Sequence, residues 1–212
     1  MGLFRLSICL LAVSAFGADT PLDQRLHDVE NRYNSAKTLQ VLFTEQYTPT
    51  GSARRTESGL ILLRKPLRMR WDYTQPKGKL FVCDGKYLWL YNPSENTVEQ
   101  TPVKESDDMR LPLAFLLGKL HFEKEFRNIE AQPEGFDLKI TAEPKSEDLP
   151  YSSVEFVVAP DSHIRSVKVM NFDHSVLTYA FDQEKVDPPV NPKAFQFEMP
   201  KGAELVKSGT DQ

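Results

Sequence analysis

From residue 39 to near its carboxyl-terminal end, the chain alternates apolar and polar residues with a period of two. In one segment Arg68, Arg70 and Asp72 separate the apolar residues Leu67, Met69, Trp71 and Tyr73. A period of two is typical of β-strands with one buried face, because successive side chains point to opposite sides of a strand. The pattern recurs in roughly ten segments bounded by turn-forming residues and predicts an antiparallel meander or barrel.

The first residues have the features of a secretory signal peptide. Arg5 supplies a positive charge, and the apolar run behind it is too short to span a bilayer. Small residues favour cleavage after Gly17 over cleavage after Ala18. We therefore expect residues 1–17 to be removed and residues 18–212 to form one exported domain.

The exported domain is predicted to be acidic and to hold one cysteine. Removal of Arg5 leaves one basic residue fewer than the 26 of the whole chain, against 30 acidic residues. This balance argues against a nucleic-acid partner, which requires a basic surface. Removal of Cys9 leaves Cys83 alone, so stability must come from a hydrophobic core rather than from a disulfide.

Two segments show helical features instead. Thr20 is a candidate cap and Pro21 suits a first helical position. Apolar residues then recur at helical spacing as Leu22, Leu26, Val29 and Tyr33. The almost wholly apolar segment 111–118 begins near Pro112 and ends at Gly118, which predicts a second, short helix with apolar groups on every side.

Asp84-Gly85 is the strongest hairpin signal, and we expect it to form a two-residue turn. One face of that hairpin would carry Lys79, Phe81, Cys83, Lys86, Leu88 and Leu90. The other face would carry Leu80, Val82, Tyr87, Trp89 and Tyr91. We expect the face without lysines to be the inner one.

No constellation typical of an enzyme is present in the sequence. The histidines lie singly, Asp107-Asp108 is interpreted as solvated charge, and Cys83 as a packing residue. We therefore predict a protein that is not an enzyme, with no catalytic residues, no metal and no cofactor. The aromatic residues of two neighbouring strands fit either a plain core or a ligand-lined cavity, and both interpretations stay open.

The segment from Gly59 to Pro93 contains a set of motifs in a distinctive order. They are Lys65-Pro66, Trp71-Asp72-Tyr73, Asp84-Gly85 and Leu88-Trp89-Leu90-Tyr91-Asn92-Pro93. With these motifs the chain resembles the LolA family of periplasmic outer-membrane lipoprotein carriers. The resemblance extends to the amino-terminal helix, the apolar helix and the ending Phe195–Gly202, whereas Ala142–Ser153 matches no family feature.

The resemblance implies an unclosed antiparallel β-barrel, a half-barrel, with an amino-terminal helix and short lid helices over an apolar cavity. It implies acylated lipoproteins as cargo, an inner-membrane ABC-type lipoprotein-releasing complex as donor and an outer-membrane lipoprotein receptor as acceptor. Such a shuttle is expected to be a periplasmic monomer. Alternatives on the same fold are a lipid-sensing envelope-stress regulatory domain and an outer-membrane lipoprotein acceptor, although the sequence lacks a credible lipidation box for the latter.

Strand parity and the resemblance together predict the site. The predicted lipid-binding cavity comprises Leu67, Met69, Trp71, Tyr73, Leu80, Val82, Trp89 and Tyr91. Lys65 stands where the best-known members have arginine, in register with Met69 and Trp71, so its ammonium needs acceptors on an apolar face. In the family the equivalent residue latches the lid through helix-end carbonyls. The predicted lid and latch comprise Lys65, Leu113, Phe115, Leu116 and Leu117; the alternative is that Lys65 extends to the barrel rim.

Overall fold

The computed structural model describes residues 21–103 and 120–207. The strands in these ranges are β1 (Thr38–Thr48), β2 (Arg55–Arg64), β3 (Arg68–Gln75), β4 (Leu80–Cys83), β5 (Tyr87–Asn92), β6 (Thr97–Pro102), β7 (Phe126–Glu134), β8 (Asp137–Pro144), β9 (Tyr151–Val158), β10 (Ile164–Asn171), β11 (Val176–Val186) and β12 (Glu204–Lys207). The helices are α1 (Pro21–Ser35), α2 (Phe122–Glu125) and a 3₁₀ turn, Pro192–Phe195.

Within the described residues, all twelve strands belong to one sheet, in the order β12-β6-β5-β4-β3-β2-β1-β11-β10-β9-β8-β7. Neighbouring strands are antiparallel, except that β12 runs parallel to β6. Strands β7 and β12 are the two edges, so the sheet does not close. The prediction of an unclosed antiparallel half-barrel with an amino-terminal helix is confirmed, and the predicted helix over 111–118 lies outside the described residues.

Helix α1 packs on one side of the sheet, which we call the inner face. Its buried residues Leu26, Val29 and Tyr33 confirm the predicted apolar stripe. They share one core cluster with sheet residues of the inner face, among them Ile61 and Trp71. The helix therefore covers the inner face because a single stripe of apolar side chains must be removed from water.

Strands β2 and β3 supply the centre of the inner face. Ile61 lies opposite Trp71 and Leu63 opposite Met69, and all four side chains are buried. Strand β3 lies close to the backbone of Gly59, where a Cβ atom would lie 2.2 Å from the Asp72 carbonyl oxygen. Glycine is therefore required at this position, which is also where the β2–β3 pairing shifts register.

The hairpin of β4 and β5 presents the opposite face to the one predicted. Phe81 pairs with Trp71 and Cys83 with Met69, so Phe81 and Cys83 lie on the inner face. Leu88 and Leu90, which pair with them from β5, lie there too. The predicted cavity residues of this hairpin instead lie on the outer face; they are Leu80, Val82, Trp89 and Tyr91.

The lysines that guided the wrong prediction lie just outside the strands. Lys79 precedes β4, where its ammonium pairs with Glu57 and lies 4.5 Å from the Tyr73 ring centroid. Lys86 is exposed in the loop before β5. A long side chain at a strand end can turn towards water whatever its parity, so these lysines do not indicate which face is polar.

The loop at Asp84 is also longer than the predicted two-residue turn. Cys83 pairs with Leu88 rather than with Lys86, which leaves four residues between them. The Asp84 carboxylate accepts hydrogen bonds from the backbone N–H groups of Lys86 and Tyr87 and from the Trp89 indole N–H at 2.9 Å. Although burial opposes ionisation, these bonds hold the pKa of Asp84 below its usual value.

The outer face of β3 to β6 is covered by the carboxyl-terminal segment that precedes β12, residues 187–203, which we call the strap. The Phe197 ring stacks on Trp89 with centroids 4.9 Å apart, and Phe195 is fully buried. Val82 is likewise fully buried. Arg70 donates to the Ala194 carbonyl oxygen, which adds a polar contact to the strap. The residues mispredicted as cavity therefore belong to a second, smaller core.

Candidate functional site

An aromatic cluster centred on Trp71 occupies the inner face. The Trp71 ring centroid lies 4.9 Å from that of Phe43 and 5.7 Å from that of Tyr179. Tyr73 and Phe81 complete the cluster, each with its centroid 6.2 Å from Trp71. Rings at these separations and tilts attract one another beyond the burial of their area.

The structure divides the predicted β3 set. Met69 and Trp71 are buried on the inner face, and Tyr73 is half-buried beside them. Leu67 does not lie with them: it sits in the turn between β2 and β3, with positive φ and 39% of its surface exposed. Parity fails for Leu67 because Arg64 already pairs with Arg68, so the intervening residues form the turn rather than a strand.

The Lys65 ammonium is hydrogen-bonded to the last turn of α1. It donates to the Tyr33 carbonyl oxygen and, at 3.2 Å, to that of Asn34. Carbonyls in the last turn of a helix lack partners within the helix and carry the negative end of its dipole. Burial lowers the pKa of Lys65, and the negative charge of Asp187 partly offsets this.

The acceptors of Lys65 within the described residues belong to α1. The carbonyls expected to receive its ammonium, at the end of the 113–117 helix, lie outside the described residues, together with Leu113, Phe115, Leu116 and Leu117. The ammonium of Lys65 nevertheless lies at the carboxyl end of a helix, as the general argument expects, and this helix is α1. Lys65 reaches it because it directly follows the end of β2, next to the turn that joins α1 to β1. The Lys65 backbone N–H donates to the Lys37 carbonyl oxygen there, at 3.0 Å.

A narrow apolar cleft runs under the end of α1, between the helix and the inner face, and we call it the helix cleft. Its lining residues are Tyr33, Leu39, Val41, Ile61, Leu63, Ile164, Phe181 and Glu184. A neighbouring cleft shares three of these residues and is bordered by Lys65. The helix cleft is therefore an apolar space whose one charged lining residue is Glu184.

Glu184 ties α1 to β11. The Arg32 guanidinium donates twice to one of its carboxylate oxygens, at 2.6 and 2.9 Å, and the Tyr33 hydroxyl donates to the other at 2.7 Å. The same hydroxyl accepts from the Ile164 N–H at 2.8 Å. Burial and the Glu184 charge raise the pKa of Tyr33, so its hydroxyl stays protonated as a donor. The polar groups that enter this apolar region are thus paired with one another.

Sequence parity missed Glu184 for a structural reason. Tyr179 and Phe181 face inwards, so simple alternation would direct residue 183 inwards and residue 184 outwards. The β1–β11 register shifts between Gln40 and Leu42, and Gln183 has positive φ. This bulge reverses the parity and turns Glu184 inwards. The sequence does not reveal the bulge, because it lies in a run of polar residues where no apolar alternation is visible.

Helix α1 also contacts the segment 120–122. The Asn34 side chain donates to the Leu120 carbonyl oxygen at 2.7 Å and accepts from the Leu120 N–H at 2.6 Å. The Phe122 N–H donates to the buried Glu30 carboxylate at 2.7 Å. The end of α1 is thus the meeting point of Lys65, Glu184 and the 120–122 segment.

The described residues offer packing rather than reactive groups. Cys83 is fully buried and its thiol donates to the Leu67 carbonyl oxygen at 3.1 Å; burial raises the pKa of that thiol. In residues 21–103 and 120–207, no three His, Cys, Asp or Glu side chains are grouped so as to hold a metal ion. No helix in the same ranges combines the length and apolar character needed to cross a bilayer.

Comparison with known proteins decides the family. A sequence profile described as outer membrane lipoprotein carrier protein LolA matches residues 34–198. The chain belongs to the LolA family. An outer-membrane lipoprotein carrier protein from Proteus mirabilis is 27% identical over 93% of this chain and 94% of its own length. One from Aeromonas salmonicida is 30% identical over 94% of each.

A solved structure supports the fold independently. An uncharacterised conserved protein from Thermus thermophilus superposes with a TM-score of 0.53, covering 89% of this chain and 100% of that chain. Its sequence is 14% identical, so the likeness concerns the fold alone. The matched LolA region spans α1's last turn, the inner face and most of the strap.

Proposed function

We propose that this LolA-family chain is a periplasmic carrier that binds the acyl chains of lipoproteins between α1 and the inner face. It would take its cargo from an inner-membrane ABC-type lipoprotein-releasing complex and deliver it to an outer-membrane lipoprotein receptor. The observation that carries the proposal is the helix cleft, an apolar space closed by a helix that a few polar contacts hold at its end. The relatives from Proteus and Aeromonas are named as lipoprotein carriers, which supports the same function.

The energetics of acyl transfer favour a cavity that opens at modest cost. Burial of an acyl chain gains about 0.8 kcal/mol per CH₂, but a membrane provides nearly the same gain. Transfer from one to the other therefore depends on a small difference between two large terms. A carrier that bound too tightly would not release its cargo.

The free energy of the Lys65 contact is comparable to this small difference. A hydrogen bond to a charged group contributes about 1.5–3 kcal/mol, and the partial exposure of Lys65 reduces this. We propose that cargo entering the helix cleft displaces the ammonium from the Tyr33 and Asn34 carbonyls. Release of cargo restores the contact, so the latch competes with the acyl chains.

Two further parts belong to the proposal. Residues 1–17 act as a cleavable signal peptide that exports the single domain 18–212. Leu113, Phe115, Leu116 and Leu117 act as a lid; in the sequence they precede the 120–122 segment that Asn34 and Glu30 hold. Amino-terminal sequencing of the periplasmic protein tests the cleavage, and we expect the mature chain to begin at residue 18.

Native mass spectrometry of the protein purified from the periplasm tests the carrier function. We expect a population whose added mass equals that of a triacylated lipoprotein, and its loss when lipoprotein acylation is blocked. An empty protein bound tightly to an unacylated partner would contradict the proposal and favour the sensor alternative.

A further inference from the structure

The indole N–H of Trp71 is a buried donor without an acceptor. Trp71 is 2% exposed, and its Nε1 atom has no hydrogen-bond partner within the described structure. The other tryptophan, Trp89, donates to the Asp84 carboxylate at 2.9 Å. Buried polar side-chain groups are almost always paired, and an unpaired one weakens folding, so this exception requires an explanation.

Among the described residues, the ring neighbours of Trp71 supply no acceptor for its indole N–H. Its ring neighbours are the apolar rings of Phe43 and Phe81 and the tyrosines Tyr73 and Tyr179. Burial and the nearby Glu45 carboxylate raise the pKa of the Tyr179 hydroxyl. A buried water needs two to four polar partners, and a single indole N–H among aromatic rings does not provide them. A ligand can supply the acceptor that the described residues lack.

Trp71 also adjoins the space proposed for the ligand. It lies directly opposite Ile61 in the β2–β3 pair, and Ile61 lines the helix cleft. Trp71 does not itself line the helix cleft, but it is the cross-strand neighbour of a residue that does. A chain of CH₂ groups along Ile61 and Leu63 would therefore lie one strand away from Trp71.

We propose that the Trp71 indole N–H donates a hydrogen bond to the ester or amide carbonyl oxygen of a bound acyl chain. The inference rests on the proposed function and deepens it by naming the group that is recognised. An acyl chain is apolar except at its carbonyl, which loses its water on entering the cleft and leaves an unsatisfied acceptor. Pairing that acceptor with Trp71 satisfies both groups and fixes how far the chain inserts.

The proposal predicts discrimination between acyl and alkyl chains. Purified protein is titrated with a triacylated lipopeptide and with its ether-linked analogue, in which each carbonyl is replaced by CH₂. We expect the acyl ligand to bind roughly three- to tenfold more tightly, the contribution of one neutral hydrogen bond. Trp71→Phe should abolish the difference, and Trp89→Phe, the matched control on the outer face, should preserve it.

A second variant separates the hydrogen bond from packing, because Trp71→Phe also removes ring volume. In the Trp89→Phe background, Trp71 is replaced biosynthetically by benzothienylalanine, which keeps the ring shape and replaces the N–H by sulfur. This variant should fold as the parent does and bind acyl and ether ligands equally. A preference that survives in both variants would overturn the assignment.

The outcomes for the site and for the function are distinct. Equal binding of both ligands to the unmodified protein would overturn the role of Trp71 while leaving the carrier function intact, and would mean that the indole only packs against neighbouring rings. Failure of both ligands to bind would overturn the carrier function itself.

Discussion

The two faces of the sheet around β3 to β5 are both aromatic, yet they are covered in different ways. On the outer face the chain's own strap covers Trp89, whose indole is paired with Asp84. On the inner face Trp71 belongs to the core cluster that α1 shares, and its indole has no partner in the described structure. The outer-face indole is thus paired within the chain, whereas the inner-face indole is unpaired among the described residues, and we propose that a ligand supplies its acceptor.

This difference explains why aromatic content alone does not locate a binding site. Both faces remove large rings from water, and both are stabilised by it. They differ in the polar groups around the rings: a paired indole marks the outer face, and an unpaired donor beside an apolar cleft marks the inner one. Each prediction below changes one side of the comparison and leaves the other as its control.

The largest effect is expected from Phe195→Ala, which removes a fully buried ring from the strap. A large cavity in the outer core should lower the free energy of unfolding by about 3–5 kcal/mol, measured by urea denaturation. Phe172→Ala, at a 63% exposed ring, serves as the control and should cost little. A loss of lipopeptide affinity in the folded Phe195→Ala protein would mean that the outer face also takes part in binding.

Glu184→Ala should lower the free energy of unfolding by about 2 kcal/mol, because the Arg32 guanidinium loses its carboxylate and the Tyr33 hydroxyl loses its acceptor. Hydrogen exchange should rise specifically in α1. The exposed Arg127–Glu143 pair provides the control, and Glu143→Ala should cost below about 1 kcal/mol. Unchanged exchange in α1 would show that this carboxylate does not hold the helix closed.

Lys65→Leu should tighten lipopeptide binding and slow its release by about tenfold, since one competing charged contact of about 1.4 kcal/mol is removed. Loading and release are followed with a fluorescent triacylated peptide. Lys86→Leu, in an exposed loop, should change neither rate. Unchanged release in Lys65→Leu would remove the latch from the mechanism.

The smallest effect is expected at Glu45, on the inner face of β1. Burial, then the charge of Glu57 opposite, raises the pKa of Glu45, while Lys79 and a Tyr179 hydrogen bond oppose the rise. The folded protein thus binds this proton more tightly than the unfolded chain, and stability falls as the pH rises through the raised pKa.

Glu45→Gln should therefore be more stable than the parent at about pH 7, with the gain vanishing below the usual carboxyl pKa of about 4.3. Urea unfolding across this range measures the difference. The exposed Glu99→Gln is the control. A gain that did not vary with pH would assign the effect to packing rather than to ionisation.

The sequence was sufficient for the fold and for part of the site. Helical spacing identified the stripe of α1, and a period of two identified the strands and the inward position of Trp71. The hairpin face was misassigned because lysines at strand ends were taken as markers of a polar face. Pairing of Trp71 with Phe81, a contact between separate strands, determines that face.

Two site features depended on three-dimensional detail that no pattern encodes. The bulge at Gln183 turns Glu184 inwards against the alternation. The unpaired state of the Trp71 indole depends on the absence of acceptors among its described neighbours in space, which is a property of the packed core. Both features arise from packing, so both required coordinates.

The most direct test of acyl binding on the inner face is photo-crosslinking in living cells. Benzoylphenylalanine is placed at Phe181, which lines the helix cleft, or at Tyr91, on the outer face. Both positions are partly buried aromatic residues, so the two substitutions are matched. We predict crosslinks to acylated lipoproteins from position 181 and none from position 91; lipoproteins trapped only from position 91, or from neither, would contradict it.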